Sequence, residues 1–424
     1  MTELNDISWL KKWNIQKISK SLGTPFYLYN QDKIIENYNL LTEGLHSKIN
    51  VFYAAKANPN PEILRCIKML TPHIEVSSLG EFRLSRKAGY QAANIIVNGP
   101  GKSKNEIDIY LQEEIGYINA ESIEEIKLIS VLADKHNWDG KLGIRINPDF
   151  NIHDTVLTTG GIPSKFGIDL NHIDNIDELL RIKIKMLHVH VGSRSLDGDE
   201  ISIFYMKILE VYLSLKTNLL PNLEILDLGG GFGIPIRDGE LPLDVKKIIS
   251  TLNNLVQYDE IDQLFIEPGR FIIGNAGICI SKILYIKESK GETFAIIDAG
   301  TNTFARNSLV RDQHKIISLS ELHNTNRDIS VDHVVGPLCT SFDWHQLNKP
   351  IRCSSDDYMI IYSTGAYGLT AAQSLFMMRP IAPELLINGD DISVINNEFD
   401  PTIIYDNKLI TDFPRTDLMD IKYY

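Results

Sequence analysis

The sequence predicts an α/β protein: a (β/α)8 TIM-like barrel followed by a mostly β C-terminal domain. Three observations predict it. Short apolar, β-branched runs alternate with amphipathic stretches, which is the pattern of βαβ units around a parallel sheet. Each run stops at a polar or glycine-rich element, and in a barrel such ends converge on one face. Beyond about residue 276 the alternation ceases and strand-like runs follow one another. An open doubly wound sheet shares the first observation; convergence of so many reactive strand ends favours the barrel.

The barrel runs, in order, are Ile49–Ala55, His73–Ser77, Asn94–Asn98, Gly116–Ala120, Lys141–Asn147, Met186–Val191, Glu224–Leu228 and Leu264–Glu267. Amphipathic stretches lie between most of them: Pro61–Leu70, Leu79–Ala88, Lys104–Glu114, Ser122–His136, Glu200–Lys216 and Leu243–Val256. A long insertion, Asp149–Ile182, separates the fifth and sixth runs and carries Lys165-Phe-Gly167. Long loops in compact enzymes are often functional. Gly277–Lys287, Thr293–Asp298, Ile329–Val335 and Tyr358–Ser363 read as strands of the second domain. The expected division is 1–35 as an N-terminal segment joining the β-domain, 36–275 as the barrel and 276–424 as the β-domain.

Composition narrows the classes. The 424 residues are 43% apolar and 23% charged, which suits a globular protein and excludes disorder as a description of the whole chain. No uninterrupted apolar stretch is long enough for a membrane helix, and MTELNDISWLKKWN lacks the apolar core of a secretory signal. A net charge of −13 argues against nucleic acid as a partner. Cys66, Cys279, Cys339 and Cys353 form no CxxC pair and no zinc-spaced cluster, so no metal is expected and reduced thiols of a cytoplasmic protein are.

Four strand ends carry chemistry. Lys56 closes the run VFYAAKAN; apolar surroundings would lower its ammonium pKa and free the amine for a Schiff base, although on position alone a strand-end lysine is more commonly a surface residue. Gly229-Gly-Gly-Phe-Gly233 follows the seventh run, where unobstructed N–H groups cradle phosphate or simply make a tight turn. It is no Walker loop, because no Gly-Lys-Ser/Thr follows. Glu267-Pro-Gly-Arg270 closes the eighth run: a plain ion pair, or a carboxylate for a ring nitrogen and a guanidinium for an anion. His190, in HVHVGS, is either a packed histidine or a flat ring stacked on a cofactor, with Ser193 at a phosphate. Together these are the parts that pyridoxal phosphate requires.

The motifs YAAKAN, SKFGI, HVGS, GGGFG, EPGR, GPLCTSFD and GAYG, in this order, resemble the fold-type III pyridoxal-phosphate decarboxylases, the diaminopimelate and ornithine decarboxylase family. The resemblance runs from Thr24-Pro-Phe-Tyr-Leu-Tyr29 to about Pro383-Glu384. It implies a cofactor-holding barrel, a β-domain and a homodimer with shared active sites. It implies Lys56 as the internal-aldimine lysine, His190 stacked on the pyridine and Ser193 at the phosphate. Gly229, Gly230, Gly231 and Gly269 would serve phosphate binding, Glu267 the pyridinium nitrogen, and Arg270 the phosphate or a substrate carboxylate. Cys339 and Asp343 would reach into the partner's site, the cysteine as proton donor and the aspartate lining the substrate pocket, and Tyr367 would touch phosphate and substrate. Tyr53, Asn58, Lys165 and Phe166 are pocket or scaffold residues.

Departures bear on the substrate. Thr340 stands where diaminopimelate decarboxylases carry a glutamate for the non-reacting amino group. Arg306 matches the family's substrate arginine, but Val310 replaces the tyrosine of that pair. CTSFD is similar to decarboxylases of specialised metabolism that handle carrier-bound or citrate-conjugated amino acids, as in siderophore and antibiotic pathways. The reading is an amino-acid α-decarboxylase acting on a modified or conjugated amino acid. The alternatives are a meso-diaminopimelate or L-ornithine decarboxylase. An amino-acid racemase is disfavoured by Glu267 and Cys339, and an inactive regulatory homologue by retention of Lys56, Glu267, Cys339 and Tyr367.

Overall fold

A computed structural model describes residues 7–150, 157–158, 160–190, 192–325 and 328–405. Eight parallel staves close a barrel, counting Ile49–Val51 and Tyr53–Ala54 as one strand bent at Phe52. The others are Ile74–Val76, Ile95–Val97, Tyr117–Ala120, Lys141–Asn147, Ile184–His188, Ile225–Asp227 and Gln263–Ile266. Closure falls on the first stave: Ile49–Val51 pairs with Gln263–Ile266, and Tyr53–Ala54 with Ile74–Val76. Staves this short and apolar are buried on both faces, as parallel strands covered by helices must be. Val191, assigned from the sequence to the sixth run, lies outside the described residues.

Polar residues at the strand ends start the helices. Ser78, Ser103 and Ser122 each accept an N–H of the first turn, at 3.2, 3.3 and 3.2 Å, and Glu106 completes a capping box with Ser103. The insertion adds a short strand, Ile168–Asp169, parallel to the end of Lys141–Asn147.

The period of two along the strands builds the barrel interior in layers. Phe52, Ile96, Met186, Ile225 and Phe265 form a separate buried cluster with Tyr117 against it. Phe52 and Phe265 lie 4.6 Å apart, and Tyr117 meets Phe265 edge-on at 5.2 Å. Two residues on, the same inward positions hold Asn98, Asn119, His188, Asp227 and Glu267, all buried. An apolar floor thus carries a polar layer at the C-terminal face.

The second unit is a nine-stranded mixed sheet around the 13-residue strand Gly277–Ser289. Phe26–Asn30 from the N-terminal segment enters it, antiparallel to Gly277–Ser289 and parallel to Glu384–Asn388. Lys290 and Gly291, at φ 52 and 83, turn the chain tightly into Glu292–Ile297. Among the described residues no helix is long and apolar enough to cross a membrane.

Candidate active site

A cavity at the C-terminal face of the barrel is lined by Lys56, His190, Ser193, Gly230, Gly231, Glu267, Gly269, Arg270 and Tyr367, with Ala54 and Phe232. These residues come from the first, sixth, seventh and eighth staves and from the β-domain. Three close approaches set them in place. A Cβ on Gly269 would fall 2.8 Å from Ala57 Cβ, so only glycine lets the Glu267–Arg270 turn meet the Lys56 turn. A Cβ on Gly365 would fall 1.9 Å from Ile273 O, which seats Gly365-Ala-Tyr-Gly368 on the barrel end. Tyr367 N–H then donates to Ala57 O at 2.7 Å.

Lys56 sits in the turn Ala55–Ala57, its side chain 36% exposed. Nζ is 2.6 Å from Glu75 Oε2, and Ser77 Oγ donates to the other Glu75 oxygen at 2.8 Å. Burial pushes the amine down, but Glu75 and Glu267 outweigh burial and raise it. This corrects the expectation of a lowered amine: a fully buried carboxylate from the neighbouring stave keeps it an ammonium.

Glu267 is buried and gripped from two sides. Asn98 Nδ2 donates to Oε1 at 2.7 Å, Asn119 Nδ2 donates to Asn98 Oδ1 at 2.9 Å, and His188 Nε2 lies 3.6 Å from Oε2. Burial opposes ionisation, yet His188, Lys56 and Asn98 together hold Glu267 well below the usual carboxylate range. Burial and the Glu267 charge push Asp227 well above it, so of this adjacent pair Glu267 carries the charge and Asp227 the proton. The ligand atoms of His188, Asp227 and Glu267 lie within 4.8 Å, a spacing that also suits a small cation.

His190 accepts the Gly230 N–H at Nδ1, 3.2 Å away, which puts the ring proton on Nε2. Burial, Arg145 and Lys56 hold the ring well below its usual pKa, so it is neutral. Arg145 Nη2 donates to His190 O at 2.7 Å and Nη1 to Glu121 Oε1 at 3.1 Å. In the glycine turn, Gly229 N–H is taken by Asp227 Oδ1 at 2.9 Å and Gly230 N–H by His190, so these two hold the turn's shape. Gly229 and Gly231 have φ of 63 and 103.

Arg270 and Arg306 are buried and flank Tyr367, with guanidinium carbons 4.9 and 5.4 Å from its ring. Arg270 Nε and Nη1 and Arg306 Nε have no protein acceptor. Burial and the neighbouring Arg306 lower Arg270 to about 10, still a cation at neutral pH. Buried guanidinium nitrogens without partners call for an anion.

Other sequence expectations fall elsewhere. Cys339 is exposed, its N–H 3.3 Å from Met377 Sδ, and neither it nor Thr340 lines the cavity of its own chain. Asp343, expected in a partner's site, keeps its carboxylate engaged within its own chain. It is buried, and its carboxylate accepts Thr301 N–H at 2.7 Å and Leu338 N–H at 2.6 Å, tying its loop to the segment at Thr301. Tyr53 and Asn58 are scaffold: Tyr53 OH donates to Asn58 O at 3.1 Å and Asn58 Nδ2 to Gly365 O at 3.1 Å. Phe166 lies under the Arg145 guanidinium at 4.5 Å, with Lys165 Nζ 5.3 Å from the ring. From the sequence, Glu75, His188 and Asp227 carry no role, and Asn98 and Arg145 are only polar strand ends. Their signal is a polar residue at the inward position ending an apolar run.

Residues 31–274 match the family model for the pyridoxal-binding domain of pyridoxal-dependent decarboxylases. The chain belongs to that family. The decarboxylase is 32% identical over 411 residues to an L-glutamyl-[BtrI acyl-carrier protein] decarboxylase of Niallia circulans, covering 92% of this chain and 94% of the relative. It is 30% identical to a diaminopimelate decarboxylase of Aquifex aeolicus, over 90% and 91% of the two chains. The diaminopimelate decarboxylase of Helicobacter pylori, solved with L-lysine, superimposes with a TM-score of 0.85 at 29% identity, over 94% of this chain and all of that one. The cofactor is pyridoxal phosphate, and the site fits it: an amine, a charged buried carboxylate, a neutral imidazole, a glycine cradle and unpaired guanidinium nitrogens surround one cavity.

Proposed function

We propose that this decarboxylase removes the α-carboxylate of an amino acid whose distal end is conjugated or anionic, in specialised biosynthesis of the siderophore type. The observation that carries the reading is the pair Arg270 and Arg306 around Tyr367, with three buried guanidinium nitrogens that no protein group accepts. The Niallia relative's carrier-bound glutamyl substrate supports it. A second reading, meso-diaminopimelate, also supplies a distal carboxylate, and the diaminopimelate decarboxylases among the relatives favour it; Thr340 leaves its distal ammonium without the expected acid.

Bound pyridoxal phosphate supplies the electron sink for the pair left behind by carbon dioxide. Lys56 is its attachment amine, fixed by Glu75. Glu267, oriented by Asn98 and His188, holds a proton at the pyridine nitrogen. His190 would offer its neutral ring to the face of the pyridine. Ser193, Gly231, Gly269 and Tyr367 would hold the phosphate end, with Gly229 and Gly230 shaping the turn beside it, and Arg270 and Arg306 would hold the substrate anion.

Cys339 of a second copy delivers the proton to the α-carbon, with Thr340 beside the substrate. Cys339 is exposed on a loop whose Phe342 stacks on Phe376 at 6.5 Å, both rings 37% exposed; an exposed aromatic pair beside a thiol supports a homodimer that completes each site. The reading divides the chain into 1–35 with the β-domain, 36–275 and 276–424, and places it in the cytoplasm, where its four free thiols stay reduced.

Carbon dioxide release by cofactor-loaded protein tests the reading over meso-diaminopimelate, L-ornithine, L-lysine, L-arginine, citrate-conjugated amino acids and carrier-bound glutamate. Release chiefly from the conjugates is expected. Comparable turnover of free meso-diaminopimelate with rejection of every conjugate would sink it.

A further inference from the structure

Asp312 is fully buried, and three guanidinium groups meet it. Arg306 Nη2 is 2.9 Å from one oxygen; Arg194 Nε and Arg237 Nη2 are 3.4 and 3.8 Å from the other. Arg194 is pinned on its far side by Glu240, with Nη1 2.8 and 3.0 Å from the two carboxylate oxygens. Glu240 in turn accepts the Ile236 and Arg237 N–H groups at 2.8 and 3.2 Å, which ties the hub to the loop after the glycine turn. Asp312 N–H also donates to Arg306 O at 3.1 Å, across a turn that ends at Arg311 in the left-handed region. The Arg306–Asp312 segment is therefore closed by backbone and by side chain.

This clamp takes one edge of Arg306 and leaves its Nε without a protein partner, while Arg270 keeps Nε and Nη1 unpartnered across the Tyr367 ring. Four arginines crowd two carboxylates here, so the cluster holds an excess of positive charge next to the cavity. We propose that Asp312 is a positioning residue that holds Arg306 in register with Arg270 on one distal anionic group of the substrate, and thereby selects substrates carrying that group. The inference rests on the decarboxylase reading above and adds the residue that sets its specificity.

The test uses holoenzyme and two amino acids matched in chain length, L-2-aminoadipate with a terminal carboxylate and L-norleucine with a methyl. Binding is followed by the visible absorbance of the bound cofactor. Native protein is expected to prefer aminoadipate. Asp312→Asn is expected to cut that preference about tenfold or more, the scale of a lost charged hydrogen bond, with norleucine binding and cofactor occupancy unchanged. Asp312→Glu, which keeps the charge, is expected to restore part of it. Equal weakening of both amino acids, loss of cofactor from Asp312→Asn, or no preference in native protein overturns the proposal. So does native preference in Asp312→Glu when Asp312→Asn fails to fold, because Asp312 then serves the fold alone. Carbon dioxide release by native protein reports on the decarboxylase reading separately: release intact with preference unaltered removes only the role of Asp312.

Discussion

At the scale of single residues, the site is an exercise in which charge survives burial. Lys56, Glu75 and Glu267 are neighbours in space, and the two carboxylates raise the lysine amine against the desolvation that would lower it. Only a neutral amine attacks an aldehyde, so the unloaded protein takes up cofactor faster as pH rises, by about tenfold per unit below the amine's pKa. Glu75→Gln removes one of the carboxylates that raise the amine. Its uptake at neutral pH is expected to be faster, with the pH profile displaced to lower pH. Stopped-flow absorbance checks this, and slower or unchanged uptake by Glu75→Gln refutes it. The neighbouring carboxyls divide in the same way. Asp227 keeps its proton so that Glu267 can stay charged, because two adjacent buried carboxylates cannot both ionise.

At the scale of elements, the strand ends act through their glycines. A Cβ on Gly230 would fall 2.3 Å from Glu267 O, between two staves that cannot separate without opening the barrel. Gly230→Ala is expected to cost about 1–3 kcal/mol, as overpacking does, and to lower cofactor content. Gly101, where a Cβ meets nothing within 4 Å, is the control, and Gly101→Ala is expected to behave as native. Thermal melting and absorbance of purified protein compare the two. A Gly230→Ala protein that melts and loads like native would show that the turn tolerates displacement.

At the scale of the whole molecule, the question is where the site ends. Its own chain supplies the cavity from Lys56 to Tyr367 but leaves Cys339 exposed beside stacked Phe342 and Phe376. If a second copy completes the site, Lys56→Ala and Cys339→Ala proteins, each inactive, regain activity when mixed under exchange. About a quarter of native activity is expected, since half the dimers are mixed and each carries one intact site. No recovery, with mixed dimers demonstrated, would place Cys339 in its own chain's chemistry or outside it. Phe342→Asp, which puts a charge in the proposed contact, is expected to shift the protein to monomer in sedimentation and to abolish turnover.

The barrel order, the position of Lys56, the glycine turn and the Glu267–Arg270 turn are legible in the chain alone. Each is a local matter: an apolar run of strand length that stops at a reactive group says where that group sits on a barrel, whatever the neighbours are. His190, Arg270 and Tyr367 were legible in the same way, as strand ends and a glycine-flanked turn. How these groups are charged and whom they face depends on the closed fold. Glu75 next to Lys56, Asp227 next to Glu267, and Asp312 between Arg306 and Arg194 are contacts between different staves and loops, created when the barrel closes. Asp343 is a further case: its carboxylate accepts one backbone N–H from its own loop and one from Thr301, a contact that only the folded chain creates. Charge and hydrogen bonding act over a few ångströms of space rather than along the chain, so they become readable only once the fold has set those distances.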